Sequence, residues 1–109
     1  MGFQVHEMAL AIIEDLRALM PLVQRQDRAL ALQLRASASS IVLNIAESQY
    51  NDPGNRRARL FTAAGSANES RSAVRVAIAW GYIRPERAAD VLARLDEVLA
   101  ILWRLTHGP

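Results

Sequence analysis

Residues 28–49 read RALALQLRASASSIVLNIAESQ, and this stretch decides the fold. It contains no glycine or proline and is rich in alanine and leucine, so it predicts a helix. One seam at helical spacing is apolar: Leu30, Leu34, Ala38, Ile41 and Ile45. A second face is apolar as well, at Leu32, Val42, Leu43 and Ala46. A helix that is apolar on more than one side either lies centrally in its fold or also forms a subunit interface.

Three further helices are predicted around this one. The first spans about residues 3–20 and should end at Pro21, with 22–27 as a connection and Asp27 as the N-cap of the second helix. The third runs over about 55–81 and the fourth over about 85–106. No strand-like alternation competes with this pattern. Residues 1–109 therefore predict one all-α domain, an antiparallel up-down-up-down four-helix bundle.

Composition excludes several classes of protein. The 109 residues suffice for a single domain and leave no room for a separate cofactor domain. There is no cysteine, which excludes disulfide frameworks, thiolate metal sites and thiol nucleophiles. The start of the chain lacks a basic leader, and the longest charge-free run, 36–46, is shorter than the about 20 residues that span a bilayer. We expect a cytoplasmic protein that does not associate with membranes.

Positive charge is concentrated in one part of the chain. All thirteen basic residues are arginine, against eleven acids, and residues 53–87 alone carry a net charge of +5. Arginine suits phosphate because its planar fork donates two parallel hydrogen bonds. The candidate nucleic-acid-binding residues, hereafter the arginine surface, are Arg56, Arg57, Arg59, Arg71 and Arg75. The alternative is that these arginines pair with acids of the fourth helix, namely Asp90, Asp96 and Glu97.

The aromatic residues do not suggest a base-stacking surface. Tyr50, Phe61, Trp80, Tyr82 and Trp103 are expected to be core or interface anchors. Without a stacking surface, the arginines predict binding that is not specific for sequence.

The two middle helices carry a recognisable pattern. Gln33-Leu34-Arg35, then Ser40-Ile41-Val42-Leu43-Asn44-Ile45-Ala46-Glu47, then Gly65-Ser66-Ala67-Asn68-Glu69 follow one another. This pattern resembles the four-helix bundle family of large-subunit rRNA intervening-sequence proteins, which also includes the accessory variability-determinant (Avd) proteins of diversity-generating retroelements. The chain departs from the family pattern at Ala36, Val42 and Ser48, where Arg, Pro and Gly are usual.

The resemblance implies an up-down bundle that assembles into a ring-like homo-oligomer, a pentamer in known relatives. It also implies binding partners for the retroelement members, namely nucleic acid and a reverse transcriptase. The members encoded within rRNA have no settled role.

Polar residues at helical spacing predict a cluster between the second and third helices. On the second helix the stripe is Gln33, Ser37, Ser40, Asn44 and Glu47; on the third it is Thr62, Gly65, Glu69 and Ser72. We expect Asn44, Glu47, Ser66 and Glu69 to form a hydrogen-bonded cluster with Ser40, either within the bundle or across a subunit boundary, with Arg35 as its cation. A solvated polar face and a carboxylate metal or catalytic site are the alternatives.

No catalytic machinery is predicted. The paired Glu-x-x-His motifs of di-iron bundles are absent, as are nucleophile and phosphate-loop signatures. His6 and His107 are expected to face solvent, with a two-histidine metal site as the weaker alternative. We therefore expect a non-enzymatic protein without metal or cofactor that self-associates and binds nucleic acid or a nucleic-acid enzyme. The competing hypothesis is a purely structural or protein-interaction module.

Overall fold

Four helices make up the chain in the computed structural model, which describes residues 2–108, with side chains from Gln4 onward. They are α1 (Gly2–Gln26), α2 (Arg28–Ser48), α3 (Pro53–Ala79) and α4 (Pro85–His107). No strand occurs within residues 2–108. The molecule measures 42 × 22 × 19 Å, as expected for long helices lying side by side.

Paired residues show that neighbouring helices run antiparallel. Along α2 and α3, Ser37 meets Ser70 while Ser40 meets Ser66, so one number rises as the other falls. Only Asp27 separates α1 from α2, and the two helices pack against each other, so α2 turns back beside α1. Each helix packs against two others: α2 and α4 both contact α1 and α3. Helices α2 and α4 therefore lie at diagonal corners of the bundle. The four-helix prediction is confirmed.

The core is built from apolar residues at alternating spacings of three and four. On α1 they are Val5, Ala9, Ile12, Leu16, Leu19 and Val23, and on α4 Ala88, Val91, Leu95, Val98 and Leu102, all at most 3% exposed. This spacing is that of helices packed side by side at a shallow angle. The buried residues of α3 are mostly small, so α3 can approach its neighbours closely.

The largest difference from the predicted helix boundaries is at the end of α1. The first helix does not stop at Pro21 but continues to Gln26, and the connection to α2 shrinks to one residue. A proline inside a helix costs about 3 kcal/mol. The extension buries Val23 completely, which recovers about 1.5–3 kcal/mol. The predicted N-cap is confirmed, because the Asp27 carboxylate accepts a hydrogen bond from the Leu30 amide at 3.0 Å.

The ends of α3 are set by local backbone chemistry. The helix starts at Pro53, two residues earlier than predicted, because Asp52 caps it by accepting from the Asn55 amide at 2.9 Å. It ends at Ala79, followed by Gly81 with φ of +82°. The Gly81 amide donates to Ile78 and the Tyr82 amide to Ala77, both at 2.9 Å. This is the paired-bond glycine stop that the position of Gly81 suggested.

The α1–α2 and α3–α4 connections meet at one end of the bundle. The Tyr82 hydroxyl donates a hydrogen bond to Asp27 Oδ2 at 3.2 Å. Partial burial, and then this bond to a carboxylate, raise the pKa of Tyr82 above its ordinary value of 10.0.

Of the described helices, α2 alone matches a membrane span in length and apolar composition. Its packing accounts for part of that composition, because Leu34, Ile41 and Ile45 are fully buried between neighbouring helices, whereas Leu32 and Leu43 stay exposed. Such a helix is equally typical of a bundle core.

Candidate functional site

Two pairs of serines cross the contact between α2 and α3. The Ser37 and Ser70 hydroxyl oxygens lie 2.8 Å apart and are 4% and 0% exposed. Ser66 donates to Ser40 at 2.8 Å, and Ser70 lies 2.9 Å from the Ser66 carbonyl. We call Ser37, Ser40, Ser66 and Ser70 the serine layer. Among the described residues no buried side-chain nitrogen or oxygen lacks a hydrogen-bond partner, so this layer is compatible with a dry core.

Asn44 extends the serine layer toward the surface. Its Nδ2 donates to the carbonyl and hydroxyl oxygens of Ser40 at 2.9 and 3.0 Å. Its Oδ1 accepts from Arg59 Nη1 at 3.3 Å. The predicted cluster thus forms around Ser40, Asn44 and Ser66, and its cation is Arg59 rather than Arg35.

The acidic half of the predicted cluster does not form within one chain. Glu47, Glu69 and Arg35 are all exposed, and no ion pair joins them to a residue in the described range. The reason is the rotation of α3, which turns Ala63, Ser66 and Ser70 inward and leaves Glu69 on the outer surface. A role for Glu47 and Glu69 across a subunit boundary stays a prediction.

Gly65 does not lie at the contact between α2 and α3. It is exposed, and a β-carbon placed there would meet no atom within 4 Å. The expected stripe through Gly65 on α3 therefore faces outward, together with Thr62 and Ser72.

The arginine surface is only partly occupied by contacts within the chain. Arg71 Nε lies 2.8 Å from Asp96 Oδ1 on α4, which is the pairing that the sequence left open as an alternative. Arg56 Nε donates to the Ser48 carbonyl at 3.3 Å, and Arg75 is exposed. Arg56, Arg57, Arg59 and Arg75 form no ion pair with a carboxylate in the described part of the chain. Their charge is consequently available to an external anion.

Three rings gather beside the arginine surface. His107 stacks on Trp103 with centroids 4.4 Å apart and planes 9° from parallel, and Phe61 meets His107 edge-on at 5.6 Å. Arg57 Cζ lies 5.6 Å from the centre of the Phe61 ring. Trp103 is 60% and Phe61 44% exposed. We call Phe61, Trp103 and His107 the aromatic cluster.

The aromatic cluster corrects the core half of a sequence expectation, while an interface role for Phe61 and Trp103 stays a prediction. Within the chain, Phe61 and Trp103 are not core anchors, and an exposed stacking surface does accompany the arginines. The four-residue spacing of Trp103 and His107 could have indicated it, since such residues are neighbours on a helix. The approach of Phe61 from α3 needs the packing of two helices, which the sequence does not give.

Sequence reasoning also missed a groove on the outside of α1 and α2. It measures about 580 Å³ and is mostly apolar, with three arginines and no carboxylate among the residues that line it. Its lining residues are Ile13, Leu16, Arg17, Met20, Pro21, Gln24, Arg25, Arg35, Ala38 and Ser39. Beside it on α2, Leu32 is 59% and Leu43 66% exposed. Ser39 lies within about 40° of both leucines on an ideal helix, so groove and leucines form one surface, hereafter the α1/α2 surface.

The described residues offer no metal centre. No group of three or more histidines, cysteines or acids lies close enough to hold an ion within residues 2–108. His6 lies 3.8 Å from Glu7, whereas His107 belongs to the aromatic cluster.

A family model agrees with this architecture. The model of the 23S rRNA-intervening sequence protein family matches residues 3–104. The chain belongs to that family. The resemblance noted from the two middle helices is confirmed for the rRNA intervening-sequence proteins, and the link to the Avd proteins stays a prediction.

A solved structure supports the fold of this intervening-sequence family member. The crystal structure of a protein of unknown function from the S23 ribosomal protein family of Bacteroides thetaiotaomicron is similar, with a TM-score of 0.86. The identity is 21%, and the match covers 94% of this chain and 98% of the other. No protein of curated function matches the chain.

Proposed function

We propose that this 23S rRNA-intervening sequence protein is a non-enzymatic, self-associating helical scaffold that binds nucleic-acid backbones through its arginine surface. The observation that carries the proposal is the availability of four arginines in the described range, Arg56, Arg57, Arg59 and Arg75, without a carboxylate partner. A fixed cation that is already neutralised gains little from phosphate, whereas an unpaired exposed one releases counterions on binding.

Self-association is the second part of the proposal. Leu32 and Leu43 expose more than half of their surface on α2, next to an apolar groove. Contiguous apolar surface of this kind is typical of protein interfaces. We propose a ring-like homo-oligomer, with a pentamer favoured by the resemblance to the Avd-like relatives. By the same resemblance, a reverse transcriptase is the alternative partner. The cytoplasmic location expected from the sequence stays a prediction.

Binding to mixed-sequence RNA and DNA over a salt series tests the nucleic-acid part. Affinity should fall steeply with salt, and Arg57→Ala and Arg75→Ala should each lower the slope of log K against log salt by about 1. Arg71→Ala should have a smaller effect because Asp96 already pairs with Arg71. Absence of binding at low salt, or binding that none of these variants changes, would refute it.

Sedimentation over a range of concentrations tests self-association. Leu43→Glu should dissociate the oligomer because it places a charge in the apolar contact. Gln33→Glu is the matched control. Gln33 is also exposed on α2, and its replacement adds the same charge at a position away from Leu43. A well-folded single copy at high concentration would rule out the scaffold.

The second candidate function is a protein-interaction module without affinity for nucleic acid. It is favoured by the α1/α2 surface, whose groove combines an apolar floor with Arg17, Arg25 and Arg35. This candidate function predicts a stable oligomer that does not bind RNA or DNA at any salt concentration.

A further inference from the structure

The aromatic cluster is held in place by hydrogen bonds as well as by stacking. His107 Nδ1 lies 3.0 Å from the Trp103 carbonyl and 3.1 Å from the Thr106 hydroxyl. Thr106 is itself buried and bonded to the Leu102 carbonyl at 2.8 Å. Two parallel rings are therefore fixed to the last turn of α4 while most of the Trp103 surface stays exposed. Ordered rings need less conformational restriction on binding than mobile ones.

Arginines lie immediately beside these rings. Arg57 is one helical turn from Phe61 and approaches its ring. Arg56 and Arg57 also line a small cleft of about 160 Å³ together with Leu105 and Gly108 at the end of α4. Among the described residues that line this cleft none carries a carboxylate, and Asp52, just before the start of α3, is engaged with Asn55.

We propose that this end of the α3–α4 pair binds single-stranded nucleic acid, with an unpaired base stacked on the Trp103–His107 rings and the adjacent phosphate held by Arg56 and Arg57. The inference rests on the proposed function and adds the strand type to it. Every base has an aromatic face, so stacking tolerates any sequence. A base inside a duplex is already stacked on both faces, so it cannot use the cluster. The preference is therefore for strandedness rather than for sequence.

A single-tryptophan variant gives a direct signal. Trp80→Phe leaves Trp103 as the sole tryptophan, because the chain has two. Trp80 is 69% exposed and lies 19 residues from Phe61 along α3, about 28 Å away by helical rise. A single-stranded RNA without self-complementarity should quench the Trp103 fluorescence. A long duplex, in which almost every base is stacked on both faces, should bind through phosphate contacts without quenching.

Affinity measurements on ring-deleting variants complete the test. Trp103→Ala should weaken single-strand binding by about ten-fold or more and leave duplex binding unchanged. His107→Ala should act in the same direction, and Trp103→Phe should restore part of the loss because it keeps a ring. Trp80→Ala is the matched control, an exposed tryptophan outside the cluster that should change neither affinity. Far-UV circular dichroism and sedimentation confirm that each variant keeps its fold and assembly.

The outcomes separate this inference from the proposed function. Equal affinity for single strand and duplex, both unaffected by Trp103→Ala, overturns the stacking site and leaves backbone binding in place. An equal loss for both strand types on Trp103→Ala also overturns it, because the ring would then act only through the structure of the surface. Failure to bind either strand type at low salt overturns the proposed function itself.

Discussion

Replacing Ser70 with alanine tests the buried hydroxyl pair that joins α2 to α3. Ser70 is fully buried and shares a 2.8 Å hydrogen bond with Ser37. When that bond is lost, the Ser37 hydroxyl can still donate to the Leu34 carbonyl at 3.2 Å. No buried donor is orphaned, so the larger penalty for an unsatisfied group does not apply. We expect the free energy of unfolding to fall by about 0.5–1.5 kcal/mol, the net value of one hydrogen bond.

A double-mutant cycle isolates the bond between the helices. Ser37→Ala and Ser70→Ala each remove the same bond, so the double variant should cost less than the sum of the two by about 1 kcal/mol. Urea unfolding followed by circular dichroism measures all four proteins. The series is repeated at several protein concentrations, because self-association would add stability that depends on concentration.

The matched control is Ser72→Ala on the same helix. Ser72 is exposed, so its replacement should change the free energy of unfolding by no more than about 0.5 kcal/mol. Strict additivity of Ser37→Ala and Ser70→Ala would refute the claim that their shared bond stabilises the α2–α3 contact. A loss above about 3 kcal/mol for either single variant would contradict the reasoning that each serine retains a backbone partner.

Further predictions concern the backbone at Gly65, Gly81 and Pro21 and the pKa of Tyr82. Gly65→Ala should raise the free energy of unfolding by about 0.5–1 kcal/mol, because the added β-carbon lies in mid-helix and meets no atom within 4 Å. Gly81→Ala should lower the free energy of unfolding by about 1–2 kcal/mol, because Gly81 has a φ of +82°. Chemical denaturation of both variants checks these opposite signs. Pro21→Ala should raise the free energy of unfolding by about 1–3 kcal/mol, since alanine restores the missing amide inside α1, and an unchanged midpoint would show that the helix is already relaxed around Pro21. Tyr82 should titrate above 10.0 by NMR, and Asp27→Asn should lower that pKa. Because the folded pKa is the raised one, the stability that Tyr82 gains from holding its proton is full below pH 10.0 and is lost as the pH rises through the folded pKa. A Tyr82 pKa that Asp27→Asn does not change would contradict this account.

Helix number and order were predictable because apolar periodicity and turn residues agree in most of the chain. The cap at Asp27 and the stop at Gly81 are local chemistry, and both were identified from sequence. Pro21 misled because its local preference opposed a tertiary gain, the burial of Val23, which only the packed bundle reveals. The low helix propensity of a proline is overridden when continuing the helix lets a nearby residue complete the apolar core.

The rotation of α3 was the least predictable feature. Alanine, serine and glycine occupy both its inner and outer faces, so the contrast between faces is weak. On α2 the structure brings Ser37, Ser40 and Asn44 into hydrogen bonds at the α3 contact, whereas Gln33 and Glu47 of the same predicted stripe are exposed. Because α3 has no clear seam, Glu69 was placed in the predicted cluster, whereas within the chain the buried position is the adjacent Ser70.

The positions of the α1/α2 surface and the aromatic cluster favour a protein that self-associates through one surface and binds nucleic acid through the other. The exposed leucines lie on α2, while Trp103 and His107 lie on α4, and these two helices occupy diagonal corners of the bundle. Copies that associate through the α1/α2 surface would leave the aromatic cluster and its arginines free. Each added copy would then present another anion-binding surface to the same strand, and linked weak contacts raise the overall affinity without any new contact type. A protein whose single copy carries a net charge of only +2 can therefore bind a polyanion tightly if its unpaired arginines repeat around an assembly.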